Sequence, residues 1–138
     1  MASSADPARE AEHRILAVPL NRHFGLLFDG RVDGVARGHF MVSGPLAAFG
    51  MLNGGVLYGL LDSIAMLALL PMLDAGQHAV THDLHVSVLR PTPLGARCEL
   101  FGKVLRLGRG VAFLDAHATV EDRIVAAARV TKSLTTAH

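Results

Sequence analysis

The sequence predicts an α+β domain in which an antiparallel sheet wraps around one long central helix. The run from Val56 to Leu73 is almost wholly apolar, and a helix that is apolar all round must be buried on nearly every side. About four segments of strand-like pattern follow this run and are joined by short turns, which favours antiparallel pairing. A curled sheet would cover part of such a helix, and a second subunit would cover the rest.

The chain before the helix is predicted to contain a tail, two strands and a loop. Residues 1–14 are polar and rich in Ala, which predicts a flexible tail and places the single folded domain at residues 15–138. A short helix or turn over the first residues of that domain would be limited by Pro19. Strands are expected over 24–28 and 35–42, separated by a turn over 29–34, and 43–53 is expected to be a loop.

The helix is predicted to begin at Gly54 or Gly55 and to end at Pro71 or shortly after it. Beyond it, Val80, His82, Leu84, Val86 and Val88 alternate with polar residues and are predicted to share one face of a strand. The remaining segments are predicted strands over 97–107, 111–120 and 124–135, with a hairpin at 108–110.

Composition indicates a single domain with a second copy of itself as partner. The 138 residues are 51% hydrophobic and 18% charged, a surplus of apolar residues for so small a chain. The net charge is +1 with scattered basic residues, which disfavours nucleic-acid binding. The single Cys98 cannot form an intrachain disulfide, and the first residues lack an apolar segment, so a cytoplasmic protein is expected.

Residues 54–73 are long enough to cross a bilayer, so a membrane span is one alternative. The segment contains three glycines, Asp62 near its middle and Pro71 near its end, and its flanks lack a strong Lys/Arg asymmetry. A lone span followed by strands makes poor structural sense. We therefore expect no membrane association.

Asp62 is the residue that most requires an explanation. It is the only charged residue between Val56 and Leu73, and an ionised carboxylate in apolar surroundings is costly unless it is paired or serves a function. A purely structural role would be a hydrogen bond to neighbouring backbone or to a Ser or Thr at an interface.

Several segments together resemble the hotdog-fold acyl-CoA thioesterases, and among them the phenylacetate-degradation (PaaI-type) group. The helix start Asn53-Gly54-Gly55 with Asp62 resembles the family's His-Gly-Gly-(seven residues)-(Asp/Glu) helix. Thr81-His82-Asp83-Leu84, Leu89-Arg90-Pro91, the segment 104–109 and the last strand 124–131 also resemble the family in order and spacing. The resemblance covers about residues 20–135.

The resemblance implies a homodimer or homotetramer that hydrolyses acyl-CoA at the subunit interface. The Gly54 N–H would polarise the thioester carbonyl, and Asp62 would be the nucleophile or the general base for water. Thr81 falls where some relatives carry a hydroxyl that helps to place that water. No cofactor is implied, since coenzyme A is part of the substrate.

This sequence departs from the family at two positions. The family's His before the glycines is Asn53 here, which either caps the helix or holds the acyl carbonyl or a water. An Asn or Gln of many relatives corresponds to Ala47, which has no polar side chain. These departures favour the alternative function, a hotdog domain that binds an acyl thioester or a protein partner without hydrolysing it.

Helix geometry makes the expected site depend on dimerisation. Asp62 follows Gly54 by eight residues, which is roughly 12 Å along a helix. Asp62 therefore cannot reach a carbonyl held at the start of its own helix. Two antiparallel helices from two subunits would bring Asp62 of one to Gly54 of the other.

The remaining candidates concern substrate binding and metals. Gly55 and Tyr58 near the helix start are candidates for contact with the substrate. Phosphate groups of coenzyme A would suit basic residues near strand ends, and these are Arg90, Arg106, Arg109 and Lys132. Arg109, between two glycines, is the preferred one of the four.

The spacing of the eight histidines does not match a metal site, so no metal is expected. A dehydratase, suggested by Gly38-His39-Phe40, lacks the required spacing between His and acid.

Overall fold

A six-stranded antiparallel sheet surrounds one long helix in the computed structural model, which describes residues 6–136. The helices are α1 (Pro7–Leu16), α2 (Pro19–Phe24) and α3 (Gly54–Leu69), and a 3₁₀ turn, Leu70–Met72, continues α3. The strands are β1 (Leu27–Val32), β2 (Val35–Met41), β3 (Ala47–Ala48), β4 (Met51–Leu52), β5 (Gln77–Val88), β6 (Arg97–Leu107), β7 (Val111–Val120) and β8 (Arg123–Thr136).

The strand order places β5 at one edge of the sheet. The order is β1-β2-β6-β7-β8-β5 with every neighbouring pair antiparallel, and β3 and β4 form a separate small hairpin. Helix α3 has nine buried residues, and it contacts β2, β5, β6, β7 and β8. The predicted α+β architecture, a sheet wrapped around one central helix, is confirmed.

A row of small residues allows α3 to lie close to the sheet. Ala36, Gly102, Ala116 and Ala128 are register partners across β2, β6, β7 and β8, and all are buried. A Cβ added at Gly102 would lie 2.5 Å from the carbonyl oxygen of Ile64, which no real side chain tolerates. The chain can build a core without Trp because the backbones themselves approach closely here.

The expected N-terminal tail is helical from Pro7 onward. The Asp6 side chain accepts a hydrogen bond from the Ala8 N–H, and Pro7 occupies the first turn, so the helix start is stabilised. Ile15 and Leu16 then pack against the core. The part of the expected tail at residues 1–5 lies outside the described residues.

The predicted strand over 24–28 and the turn after it are displaced. Phe24 ends helix α2, where Gly25 adopts a left-handed conformation with φ of 80°. Strand β1 then continues to Val32, and the turn to β2 is formed by Asp33 and Gly34 alone. The predicted loop over 43–53 contains a 3₁₀ turn and the β3–β4 hairpin, whose tip is Phe49-Gly50.

The predicted common face of the strand at 80–88 is also wrong, because a bulge interrupts it. Thr81 pairs with Lys132 and Asp83 with Thr131, so His82 is the extra residue in the ladder. The bulge changes which residues face α3. Before the bulge Thr81 faces the helix, and after the bulge Leu84 does, whereas Val80 is 55% exposed. The bulge therefore turns the Thr81 side chain toward α3.

Helix α3 and the turn after it, Gly54–Met72, are long and apolar enough to cross a membrane. A core helix of a soluble protein meets the same criterion when it is mostly buried. Here the helix is surrounded on several sides by the sheet, as the predicted architecture requires.

Candidate active site

The start of α3 presents one backbone donor that the helix does not use. Asn53 is the N-cap, and its side chain accepts a hydrogen bond from the Gly55 N–H at 2.9 Å. The Val56 N–H bonds to the Asn53 carbonyl oxygen. Within residues 6–136, no hydrogen bond uses the Gly54 N–H. The cap thus occupies the second helical N–H and leaves the first, at the positive end of a 16-residue helix, open to a ligand.

Gly54 lies beside the end of strand β5. A Cβ added to it would be 3.7 Å from Cγ2 of Val88, an ordinary contact distance. A small side chain is therefore tolerated at this position, and the position itself is half-buried. The glycine is consequently not required by local packing, which leaves room for a function that needs a close approach to the backbone.

Asp62 lies two turns further along α3 in a cluster of three polar side chains. Its Oδ1 accepts a hydrogen bond from Oγ1 of Thr81 at 2.7 Å and one from Nζ of Lys132 at 2.9 Å. The Lys132 ammonium also donates to Oγ1 of Thr81 at 2.7 Å. The Asp62 side chain remains 32% exposed, so the carboxylate is anchored on one side and open to solvent on the other.

Lys132 is the functional residue that sequence reasoning misplaced. The sequence predicts it near a strand end as a candidate for phosphate binding, but its side chain is only 4% exposed and pairs with Asp62. The relevant signal is its position in β8, where it has the same parity as the buried Ala128 and Val130. A Lys at an inward position of a strand predicts a buried partner of opposite charge.

Gly54 and Asp62 do not meet within one chain. Both lie on the continuous helix α3, eight residues apart, or roughly 12 Å along its axis. Tyr58 lies midway between them, four residues after Gly54 and four residues before Asp62. The three residues therefore share one face of α3. Tyr58 is 45% exposed, which marks this face as the one that the sheet leaves uncovered.

The candidate phosphate-binding arginines are separated along the sheet. Arg90 follows β5 at the end where Val88 contacts Gly54, and its Nη1 donates to the Ile124 carbonyl oxygen at 3.1 Å. Arg109 lies in the β6–β7 turn. This turn lies beside β8, since Ala112 of β7 is the register partner of Lys132. Both arginines are exposed, as is Arg106 on β6. One chain thus places Arg90 at the Gly54 end and Arg109 at the Asp62 end.

Other reactive side chains lie away from this cluster. Cys98 is buried in β6, and burial raises the pKa of its thiol to about 12, so the thiolate needed for a nucleophile does not form near neutral pH. On the outer face of the sheet, Asp29, His39 and Glu99 have ligand atoms within 4.8 Å of one another, a group that could hold a metal ion. It belongs to β1, β2 and β6 and is far from Asp62 in the strand order.

An apolar cavity of about 590 Å³ opens at the far end of α3, between α1 and the start of β5. Met66, one turn after Asp62, is among its lining residues, together with Ile15, Leu70 and Leu73. Its rim carries charged and polar groups such as Arg14 and His78. The cavity is adjacent to the Asp62 cluster along the helix but does not include it.

Comparisons with known proteins identify the family of this chain. Residues 49–127 match the family model of the thioesterase superfamily, a segment that contains Gly54, Asp62 and Thr81. Acyl-coenzyme A thioesterase 13 of Homo sapiens is 32% identical over 89 residues. That alignment covers 63% of this chain and 63% of the relative, so the chain spans less than two thirds of the curated relative's length.

Solved structures of the same fold extend over nearly the whole chain. A thioesterase of Haemophilus influenzae superposes with a TM-score of 0.85 at 20% identity, covering 96% of this chain and 93% of that chain. A mutant of the phenylacetic acid degradation protein PaaI of Thermus thermophilus gives a TM-score of 0.75 at 26% identity, covering 84% and 98%. The hotdog fold and the resemblance to PaaI-type proteins are confirmed. The chain belongs to the thioesterase superfamily.

Proposed function

We propose that this protein hydrolyses an acyl-CoA thioester to a free acid and a thiol, with Asp62 of one subunit acting beside the Gly54 N–H of another. The observation that carries the proposal is the pair of features at the two ends of one exposed helix face. At one end, a helix N-terminus has an unused N–H, and at the other a carboxylate is anchored through Oδ1 and open to solvent.

The chemistry of thioester hydrolysis needs both features. Negative charge develops on the carbonyl oxygen during attack, and a fixed N–H at a helix N-terminus stabilises it. Asp62 either removes a proton from the attacking water or attacks the carbonyl carbon itself to form an anhydride that water then opens. In the first route the C–S bond breaks as the tetrahedral intermediate collapses, and the sulfur leaves with the proton that Asp62 accepted.

A homodimer would bring the two ends together. Strand β5 is a 12-residue edge strand whose exposed apolar residues include Val80, Val88 and the adjacent Leu89, and such an edge invites pairing with another chain. Pairing across a two-fold axis sets the two α3 helices side by side and antiparallel. If the axis passes near Tyr58, Gly54 and Asp62 lie at equal distances from it and face their counterparts across the interface.

The same two-fold relation would assemble a site for coenzyme A. It brings Arg90 of one subunit, at the Gly54 end, to the side where Arg109 of the other subunit lies. Arginines bind phosphate groups well because their planar fork matches phosphate geometry. Gly55 and Tyr58 would line the entry to this site. The substrate class follows the name of the human relative, an acyl-coenzyme A thioesterase, and the reaction takes place in the cytoplasm without a cofactor.

Thiol release from a panel of aliphatic and aryl acyl-CoAs tests the proposal. The native chain is expected to turn over at least one of them, and Asp62→Asn is expected to lower turnover to a small residual rate. Gly54→Pro removes the N–H and places the ring Cδ where it pointed, with little change to the backbone, because proline is favoured at the first helical position and Asn53, with ψ of 123°, already has the backbone that precedes proline. Gly54→Ala keeps the N–H and serves as the matched control.

A non-catalytic acyl-thioester-binding domain is the second candidate. It is favoured by Ala47, which supplies no polar side chain beside the helix start, and by Asn53, whose side-chain oxygen is engaged by the Gly55 N–H. This candidate predicts that a folded dimer binds acyl-CoA but releases no thiol from any member of the panel.

For the proposed hydrolysis, equal rates for Gly54→Pro and Gly54→Ala would contradict the role of the Gly54 N–H.

A further inference from the structure

A buried ammonium group under the proposed catalytic carboxylate is the feature that the proposed mechanism leaves unexplained. Lys132 is one of two lysines in the chain, and its side chain is 4% exposed. Its Nζ donates hydrogen bonds to two atoms of the same cluster, Oδ1 of Asp62 and Oγ1 of Thr81. Lysine is almost never buried to this extent unless it is paired.

Stability alone is a weak reason for this arrangement. Removing a charged pair from water costs several kcal/mol per ion, and a well-packed apolar residue often serves stability as well or better. Ala128 and Val130, on the same inward face of β8, show that apolar residues fit this surface of the sheet. The position of Lys132 therefore points to an effect on the Asp62 carboxylate rather than on the stability of the core.

The contacts of the cluster distinguish the two oxygens of Asp62. Both hydrogen bonds reach Oδ1, and within residues 6–136 none reaches Oδ2. The single proton of the Thr81 hydroxyl is committed to Oδ1, since the same oxygen accepts from Lys132. Thr81 can therefore accept a hydrogen bond from a water molecule but cannot donate one to it.

We propose that Lys132 is a positioning residue for thioester hydrolysis: together with Thr81 it clamps Oδ1 of Asp62, so that Oδ2 is the oxygen that reacts. This inference rests on the proposed function. The clamp fixes the side chain of Asp62 and balances its charge through Oδ1, while Oδ2 makes no hydrogen bond within residues 6–136 and the side chain is 32% exposed. A carboxylate held in this way needs no reorganisation when the carbonyl arrives.

Kinetics of Lys132→Met test the clamp, with Lys103→Met as the matched control because Lys103 is the other lysine and is exposed on β6. We expect kcat to fall about 100-fold in Lys132→Met, the scale of a misplaced reacting group. The KM should change by less than about threefold, because the acyl-CoA contacts are untouched. Thr81→Val, which removes one of the two clamp contacts, should lower kcat by about tenfold, and Lys103→Met should match the native rate.

A double-variant cycle separates positioning from a general loss of structure. In the Asp62→Asn background, Lys132→Met should cause no further loss of rate, because nothing remains to be positioned. Multiplying losses would overturn the inference, as would a native kcat for Lys132→Met. If Lys132→Met is harmless while Asp62→Asn is inactive, the inference falls and the proposed function stands. A native dimer that hydrolyses no thioester overturns both.

A spectroscopic measurement checks the contact without relying on turnover. Protein labelled with ¹⁵N-lysine contains only two side-chain amines, and burial should protect the Lys132 ammonium protons from exchange with water. We expect one protected ¹⁵Nζ signal that moves in Asp62→Asn and in Thr81→Val and stays in place in Lys103→Met. A Lys132 signal that is insensitive to both cluster substitutions would overturn the clamp even if the variants fold poorly in other assays.

Discussion

Asp62→Asn should destabilise the protein as well as inactivate it. The substitution keeps the size of the side chain but leaves the Lys132 ammonium, 4% exposed, without its opposite charge. Removing one partner of a buried ion pair typically costs about 3–5 kcal/mol. Asp62 is itself a third exposed and Thr81 still accepts from Lys132, so we expect the lower limit, about 3 kcal/mol.

The cost should disappear when the lysine is also removed. In Asp62→Asn/Lys132→Met, no buried charge is left, and the double variant should regain most of the lost free energy of unfolding. Urea unfolding followed by circular dichroism suits this chain, which has no Trp, and all variants must be compared at one protomer concentration. An Asp62→Asn variant within about 0.5 kcal/mol of native stability would refute the buried pair, since that is the range of ordinary surface substitutions.

Three further predictions concern residues outside the cluster. Gly102→Ala should lower the free energy of unfolding by at least about 2 kcal/mol, because the added Cβ would meet the Ile64 carbonyl. A thermal melt would show the loss, and a native melting temperature would contradict the close approach of α3 to the sheet. Burial lowers the pKa of folded His117 below its ordinary value, so the unfolded form binds more protons, and stability falls as the pH drops below about 6.5 toward the lower folded-state pKa. His117→Gln should therefore lose less stability than the native chain in urea titrations below that pH, and an unchanged pH dependence would contradict this. Cys98, with its pKa raised to about 12 by burial, should resist a chromogenic thiol reagent in the native state, and rapid labelling at pH 8 would contradict its burial.

The architecture could be predicted from sequence because two strong patterns agreed. An 18-residue apolar run with a single charge fits a membrane span or a helix buried on several sides, and the strands that follow it favour the buried helix. The turns between those strands favour antiparallel pairing. The site residues Gly54 and Asp62 could be named from the same run. Their roles stay a proposal, since the geometry of one chain keeps them apart.

The errors came from features that residue patterns do not encode. Alternation along 80–88 predicted one common face, but the bulge at His82 reverses the alternation, and a bulge depends on pairing with β8 that the local sequence does not show. Residues 7–14 were expected to belong to a tail because they are polar and rich in Ala, yet they form most of helix α1, and Ala11 packs on the core. Lys132 was interpreted as a phosphate-binding candidate because its partner Asp62 lies 70 residues away in sequence.

Mixed dimers provide the most direct test of the central claim that Asp62 and Gly54 act across the subunit interface. Gly54→Pro chains keep Asp62, and Asp62→Asn chains keep the Gly54 N–H, so neither homodimer contains an intact site. A mixed dimer contains one. Co-expression of the two chains should therefore restore about a quarter of the native rate, from random pairing in a two-fold dimer. A mixture as inactive as its two components would show that no site is shared between subunits and would contradict the proposed arrangement.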